Sequence, residues 1–277
     1  MLARKCQHFF GIVGSRSPKL LFPANLKFTI VSQLSSTEKR EPMKPANRPP
    51  PVRYVILFPG RTGSTFLTDH MTSHPEITAN YEILSQYRDS WHQQKAFLDE
   101  MIHSPRFPHI KAIGLKTKIT HVLEPFEFEK YLKDNQFRII HLSRSNQLKF
   151  VVSIVRAKLL RQQAGTSNLI HAGQEPVGPT TIPLADFAEA KKRLRRRNRL
   201  TRIIDRIKLP TLELVYEDLV RREQTTLKRV WSFLDVRNIA TTATTRKNTP
   251  DDIRSVVTNL DEILHHHPEM ARFVDQV

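Results

Sequence analysis

The stretch RYVILFPGRTGSTFL, residues 53 to 67, passes from an apolar run through a loop of small residues into what reads as the start of a helix. A strand that feeds a glycine-bearing loop opening a helix aims several backbone N–H groups at one point, with the positive end of the helix behind them. That geometry binds an oxyanion. Gly60 and Gly63 let the backbone turn and approach closely, Thr62, Ser64 and Thr65 supply hydroxyl donors, and Arg61 supplies a fixed positive fork. The nucleoside-triphosphate pattern G-x-x-x-x-G-K-[ST] is not met, because Gly60 and Gly63 stand too close together and no lysine follows. A γ-phosphate and its magnesium thereby lose their expected ligands. On its own the motif fits a ligand-free turn equally well.

Three further runs, KAIGLK at 111 to 116, FRIIHL at 137 to 142 and TLELVY at 211 to 216, join RYVILF at 53 to 58 as strands. Longer segments with helical spacing separate them. Parallel crossovers follow, and the expected fold class is α/β, a central parallel sheet flanked by helices. The first helix should run from about Gly63 to His74, since Pro75 disfavours helical geometry in the residue before it. A second helix after Ser145 places Leu148, Val152, Val155 and Leu159 on one stripe. The turn-rich PVGPTTIP, 176 to 183, reads as a surface connection in preference to a lid.

The 277 residues carry a net charge of +17 and a pI near 10.2, so anionic partners are expected. Lone Cys6 leaves no intrachain disulfide, and no run of about 18 apolar residues is present to span a membrane. The default setting is soluble, reducing and cytoplasmic. Residues 1 to 51 hold nine Lys or Arg against Glu38 and Glu41 and end in EPMKPANRPPP, which reads as a disordered basic extension ahead of a domain over 52 to 277. An Arg-rich transit peptide, or translated sequence upstream of a start at Met43, fits the same composition.

After FRIIHL the chain continues SRSNQLKFVVSIVRA. Arg144 sits at the carboxyl end of a strand, where ligands of open α/β sheets bind. Ser153 lies in the following helix, away from its apolar stripe, so its hydroxyl need not be buried in the core and can face a cleft.

In order, PGRTGSTFL and, about 80 residues later, HLSRSNQLKFVVSIVRA resemble the 5′-phosphosulfate loop and the 3′-phosphate site of sulfotransferases that use 3′-phosphoadenosine 5′-phosphosulfate. Arg61 stands where cytosolic members carry Lys, which is similar to the bacterial trehalose-type and carbohydrate sulfotransferases. VYEDLVRREQTTLKRVWSFLDV, 215 to 236, resembles the family's C-terminal strand and helix, and KNTPDDIRSVVTNLDEI its closing segment, so the likeness covers residues 53 to 265. It implies a P-loop NTPase-like sulfotransferase fold and that phosphosulfate as co-substrate, with no metal. Arg61, Thr62, Gly63, Ser64 and Thr65 would hold the 5′-phosphosulfate, and Arg144 and Ser153 the 3′-phosphate. The sulfuryl group would pass to a hydroxyl of a carbohydrate or glycolipid acceptor.

Two of these positions imply catalysis. Arg61 would stabilise charge on the departing bridging oxygen, and Glu82 in NYEILS would accept the hydroxyl proton. The family often reads Glu-Pro or Glu-x-Phe at the latter, whereas Ile83 follows Glu82 here, and a surface Glu fits the position equally well. His141 lies inside an apolar run and reads as structural. Lys116 and Lys118 follow a strand and are within reach of its carboxyl end, although Lys is common there. Arg246 and Lys247 resemble residues that approach the 3′-phosphate.

EAKKRLRRRNRLTRIIDRIK, 189 to 208, holds ten Lys or Arg and two acids, with Phe187, Leu194 and Ile204 available for a narrow buried face. It reads first as a solvated helix face, and otherwise as a binding surface for RNA, an acidic membrane or an anionic acceptor. A nucleic-acid-binding protein and a P-loop-type nucleotide kinase are therefore the rival readings. HHHPEM, 265 to 270, reads as a surface cluster, because three consecutive histidines cannot all face one ion in regular structure.

Overall fold

The computed structural model describes residues 49–103, 108–166, 176–245 and 252–276. The expectations for the first 48 residues, and for Arg246 and Lys247, lie outside the described residues.

Five parallel strands form one sheet in the order β2-β3-β1-β4-β5: β1 (Val52–Leu57), β2 (Ile77–Asn80), β3 (Ala112–Thr117), β4 (Arg138–Ser143) and β5 (Thr211–Val215). The helices between them are α1 (Ser64–Thr72), α2 (Trp91–His103), α3 (Pro125–Asp134), α4 (Gln147–Ala164), α5 (Leu184–Lys191) and α6 (Arg193–Ile207). After β5 come α7 (Tyr216–Arg221), α8 (Glu223–Phe233) and α9 (Leu260–His266).

Alternation along the strands builds two cores on opposite faces of the sheet. Val55, Leu57, Ile113, Leu115 and Ile139 pack with α2, α3 and α6, while Tyr54, Ile56, Ile140 and Leu142 pack with α1 and α8. A third cluster joins α4 to α5 and α9 through Leu148, Val151, Val155, Phe187, Ile253 and Ile263. Gly114 is needed where β3 passes β1, because a Cβ there would lie 2.0 Å from the Tyr54 carbonyl oxygen.

The strands read from sequence are present to within a residue or two. β2 escaped notice because ITAN is four residues long, lies at the sheet edge and is fully buried only at Ile77. The basic stretch 189 to 208 is not one helix. α5 and α6 meet at Lys192, where Arg195 N–H bonds to the Lys192 carbonyl and tightens the turn. Its buried face comprises Phe187, Leu200, Ile204 and Ile207, with Leu194 only partly buried.

PVGPTTIP is pinned as a connection. Fully buried Arg156 donates to the carbonyls of Val177 and Gly178, Thr180 bridges to Val257, and Ile182 N–H bonds to Asn259. No described helix is long and apolar enough to cross a membrane.

Candidate active site

The strand order reverses direction at β1 and β4, and a crevice at the carboxyl ends of such strands is where open sheets bind ligands. Residues 58–63 leave β1 there, and Ser143 and Arg144 leave β4. Leu57 of β1 is level with Thr117 of β3 and His141 of β4, so the loop, Lys118 and Arg144 emerge on one rim.

Gly63 caps α1 at φ 75°, and a Cβ there would meet the Tyr216 ring at 2.6 Å. No side chain caps the helix, so its first N–H groups keep their donor capacity. Thr62 is fully buried and its hydroxyl has no hydrogen-bond partner among the described residues. Arg61 adopts φ 55°, a left-handed conformation that costs about 1–2 kcal/mol in a residue with a Cβ. Its pKa is lowered to about 10 by burial first and by the Arg144 charge second, with Tyr216 opposing. It stays cationic at neutral pH. The buried Ser64 and the half-buried Thr65 complete the loop, and Thr65 Oγ1 accepts a 2.8 Å hydrogen bond from Lys116 Nζ.

Lys116 is 2 % exposed, and its ammonium lies 4.9 Å from the centre of the Tyr81 ring. Burial is the main cause of a pKa lowered to about 8.

Arg144 is also buried. Its guanidinium stacks 4.6 Å over Tyr216, donates to Ser153 Oγ at 3.2 Å and to the Arg61 carbonyl at 3.4 Å, and lies 3.8 Å from Glu217. Burial alone would raise the Glu217 pKa. Hydrogen bonds from backbone N–H groups, Ser145 and Asn146 among them, and the Arg144 charge outweigh that and hold the carboxyl below its ordinary range. Asn146 accepts from Lys149 N–H and so caps α4, which fixes where the helix begins.

Ser153 does not face an open cleft. It is 2 % exposed, because Leu148, Phe150, Val151, Val152, Ile154 and Val155 around it are all buried and α4 is covered on every side over its first turns. Its hydroxyl donates to the Phe150 carbonyl at 2.8 Å and accepts from Arg144. Leu159, the last residue of the expected stripe, is only partly buried.

Glu82 lies on the segment after β2, about a quarter exposed. Lys118 Nζ donates to it at 2.5 Å, with His121 Nδ1 at 3.6 Å and Lys116 Nζ at 4.0 Å. Glu82 shares a cleft of ≈ 640 Å³ with Arg61, Ser64, Thr65, Lys118 and His121, and residues of α4, α5 and α6 line its other side. His141 is absent from that lining; its Nδ1 sits 2.6 Å from Glu213 on the neighbouring strand, which suits a structural role. The structure thus brings Arg61 to Thr65, Arg144 and Ser153 together at one end of the crevice and Glu82 to the cleft beside the loop.

Tyr216, Glu217 and Asp69 escaped the sequence reading. Tyr216 and Glu217 directly follow β5 at the carboxyl rim, and that position is the signal that was available. Asp69 on α1 accepts from Tyr81, Thr244 and Thr245, tying the segment before Glu82 to the chain beyond α8.

The basic segment is partly committed within the fold. Arg197 donates to the Arg144 carbonyl at 2.6 Å, Arg206 pairs with Glu129, and Lys191 pairs with Glu269. His267, from the triple histidine, packs on Phe187. Among the described residues no group of three or more His, Cys, Asp or Glu is placed to hold a metal ion.

No family model matches the chain. Nodulation protein H of Rhizobium tropici is 29% identical over 124 residues, 40% of this chain and 48% of that protein. Nodulation protein H of Rhizobium meliloti (strain 1021) is 24% identical over 215 residues, 64% of this chain and 85% of that protein. The matched region thus spans about half the length of the first relative and most of the second. Among solved structures, a sulfotransferase from Alicyclobacillus acidocaldarius has a TM-score of 0.48 at 12% identity, covering 82% of this chain and 95% of that one. A mouse sulfotransferase solved with PAP has a TM-score of 0.41 at 16% identity, covering 68% of this chain and 61% of that one. The five-stranded parallel sheet flanked by helices, with a glycine-bearing loop between its central β1 and α1, is the α/β architecture expected from the sequence.

Proposed function

We propose that the chain is a sulfotransferase that moves the sulfuryl group of 3′-phosphoadenosine 5′-phosphosulfate to a hydroxyl of a carbohydrate or glycolipid. The observation that carries this reading is a pair of anion-directed groups at neighbouring strand ends. An uncapped helix start with a buried, unpartnered Thr62 hydroxyl follows β1, and the buried Arg144–Ser153 pair follows β4. A donor with charge at both its 5′ and 3′ positions matches two such sites, whereas a nucleoside triphosphate needs one.

Arg61, Thr62, Gly63, Ser64 and Thr65 hold the phosphosulfate, and Arg144 and Ser153 the 3′-phosphate. The acceptor oxygen forms a bond to sulfur while the bridging sulfur–oxygen bond breaks, and adenosine 3′,5′-bisphosphate departs. Negative charge grows on that bridging oxygen, where Arg61 and the loop N–H groups are already oriented to receive it. Lys116 adds a second cation through its contact with Thr65. The acceptor proton passes to Glu82, which Lys118 holds at the cleft wall. A cleft with acids, bases and hydroxyls in its lining suits an acceptor rich in hydroxyl groups.

Incubation with 35S-labelled donor and a panel of oligosaccharides and glycolipids tests the reading. Label transfer to a sugar hydroxyl, abolished by Arg61→Ala, is the expected result; hydrolysis of ATP by the same preparation with no transfer contradicts it.

A further inference from the structure

The cleft beside Glu82 has a second group of lining residues on the helical side: Lys158 and Arg161 from α4, Asp186 and Glu189 from α5, and Arg193, the first residue of α6. The cations here divide into two kinds. Lys118 is neutralised by Glu82 and Lys158 by Asp186. Arg161 and Arg193 are different: both are exposed, and neither guanidinium has a hydrogen-bond or ion-pair partner among the described residues.

The acids within reach are already engaged. Asp186 is taken by Lys158, and Glu189 accepts from Lys192 at 2.7 Å. The first turn of α6 holds no acidic residue to offset Arg193, and Lys192 and Arg195 beside it add like charge. Two uncompensated guanidinium forks therefore border a cleft whose other flank carries the proposed base. A guanidinium offers parallel N–H donors spaced for two oxygens of a carboxylate, sulfate or phosphate. Neutral hydroxyls would leave this positive charge unanswered.

We infer that Arg161 and Arg193 form an acceptor subsite for an oxyanion, so that the acceptor is an anionic carbohydrate whose carboxylate, sulfate or phosphate docks there while a hydroxyl faces Glu82. This rests on the sulfotransferase reading and narrows its acceptor. The two arginines set specificity, since they touch the acceptor at a point away from the reacting oxygen.

The test uses full-length protein saturated with adenosine 3′,5′-bisphosphate, titrated at near-physiological salt with glucose, glucose 6-phosphate and glucuronate. Both anionic sugars should bind roughly tenfold or more tighter than glucose, and the Arg161→Ala/Arg193→Ala variant should lose that preference while holding the bisphosphate as before. A preference for only one of the two anions identifies phosphate or carboxylate as the group recognised. Equal affinity for all three sugars, or no binding of either anion up to about 10 mM, overturns the inference. So does a preference that survives in the variant. If bisphosphate affinity falls with the variant, the two arginines belong to the donor site and the inference also fails. Failure of the native protein to bind bisphosphate at all is a separate result, which removes the sulfotransferase reading and this subsite with it.

Discussion

Arg144 Nη1 donates a 3.2 Å hydrogen bond to the hydroxyl of Ser153, joining the end of β4 to the second turn of α4 inside the protein. In the proposed function the two groups would hold a donor 3′-phosphate as one preset unit. Arg144→Ala should weaken adenosine 3′,5′-bisphosphate binding by about 3 kcal/mol, on the order of a hundredfold, and Ser153→Ala by about 1 kcal/mol. Arg144→Lys keeps the charge without the fork and should fall between them. Calorimetric titration measures all three, and a melting curve for each shows that the fold is retained.

Glu82 sits among three cationic or potentially cationic groups, Lys118, His121 and Lys116, on the wall of the cleft beside the loop. Glu82→Gln should lower kcat by about 10²- to 10³-fold while bisphosphate affinity stays nearly unchanged. Steady-state kinetics with the best available acceptor decides this. Undiminished turnover would assign the base elsewhere.

Lys116 supplies a pH signature. Burial lowers its pKa to about 8 from 10.5, with the Lys118 charge acting the same way and the Glu82 and Asp69 charges opposing. Between those values the unfolded chain binds this proton more firmly than the folded one, so this residue's penalty on stability is fully present below about pH 8 and is relieved as pH rises toward 10.5. Lys116→Met should remove that rise from the stability profile. An anion bound at the loop should pull the proton back onto Lys116. Near pH 8.5, bisphosphate binding to the native protein should therefore take up a fraction of a proton, read from titrations in buffers of different ionisation heat, and the variant should lose most of that uptake.

Asp69 contributes stability in its charged form where charged Lys116 costs it, yet both depressed pKa values make stability rise with pH. Burial raises its pKa, but hydrogen bonds from Thr245, Tyr81 and Thr244 outweigh it, and the net result lies below the ordinary 3.8. A depressed carboxyl contributes stability that is present above its unfolded pKa and is lost as pH falls through the folded one. Asp69→Asn should flatten the acid limb of the stability curve below about pH 4. Asp69→Ala, which leaves four donors from Thr244 and Thr245 without their shared acceptor, should cost about 3 kcal/mol in denaturant unfolding.

Four strands were legible in the sequence because each is a short apolar run, and the loop between β1 and α1 was legible because its glycines and small residues are consecutive. Arg144 could be found from its place at a strand end. β2 could not, since four residues at a sheet edge leave no periodic trace. The exposure of Ser153 was misread for a physical reason: a helical wheel assumes that one side meets water, and the first turns of α4 are enclosed by the residues around α5 and α9. The bonds of Asp69 to Thr244 and Thr245 span 175 and 176 residues, which no local pattern encodes. The single basic helix read over 189 to 208 failed at Lys192, where charge density hid a helix junction.

The central claim is that two anion sites at the ends of β1 and β4 hold one bisphosphorylated nucleotide. Its most direct test is calorimetric titration of the purified protein with adenosine 3′,5′-bisphosphate, without metal, against ATP with magnesium, at two salt concentrations. Saturable one-to-one binding of the bisphosphate, tighter than ATP at both salts and lost in Arg144→Ala, is predicted. Preference for ATP with magnesium, or saturable binding of neither, would contradict the account.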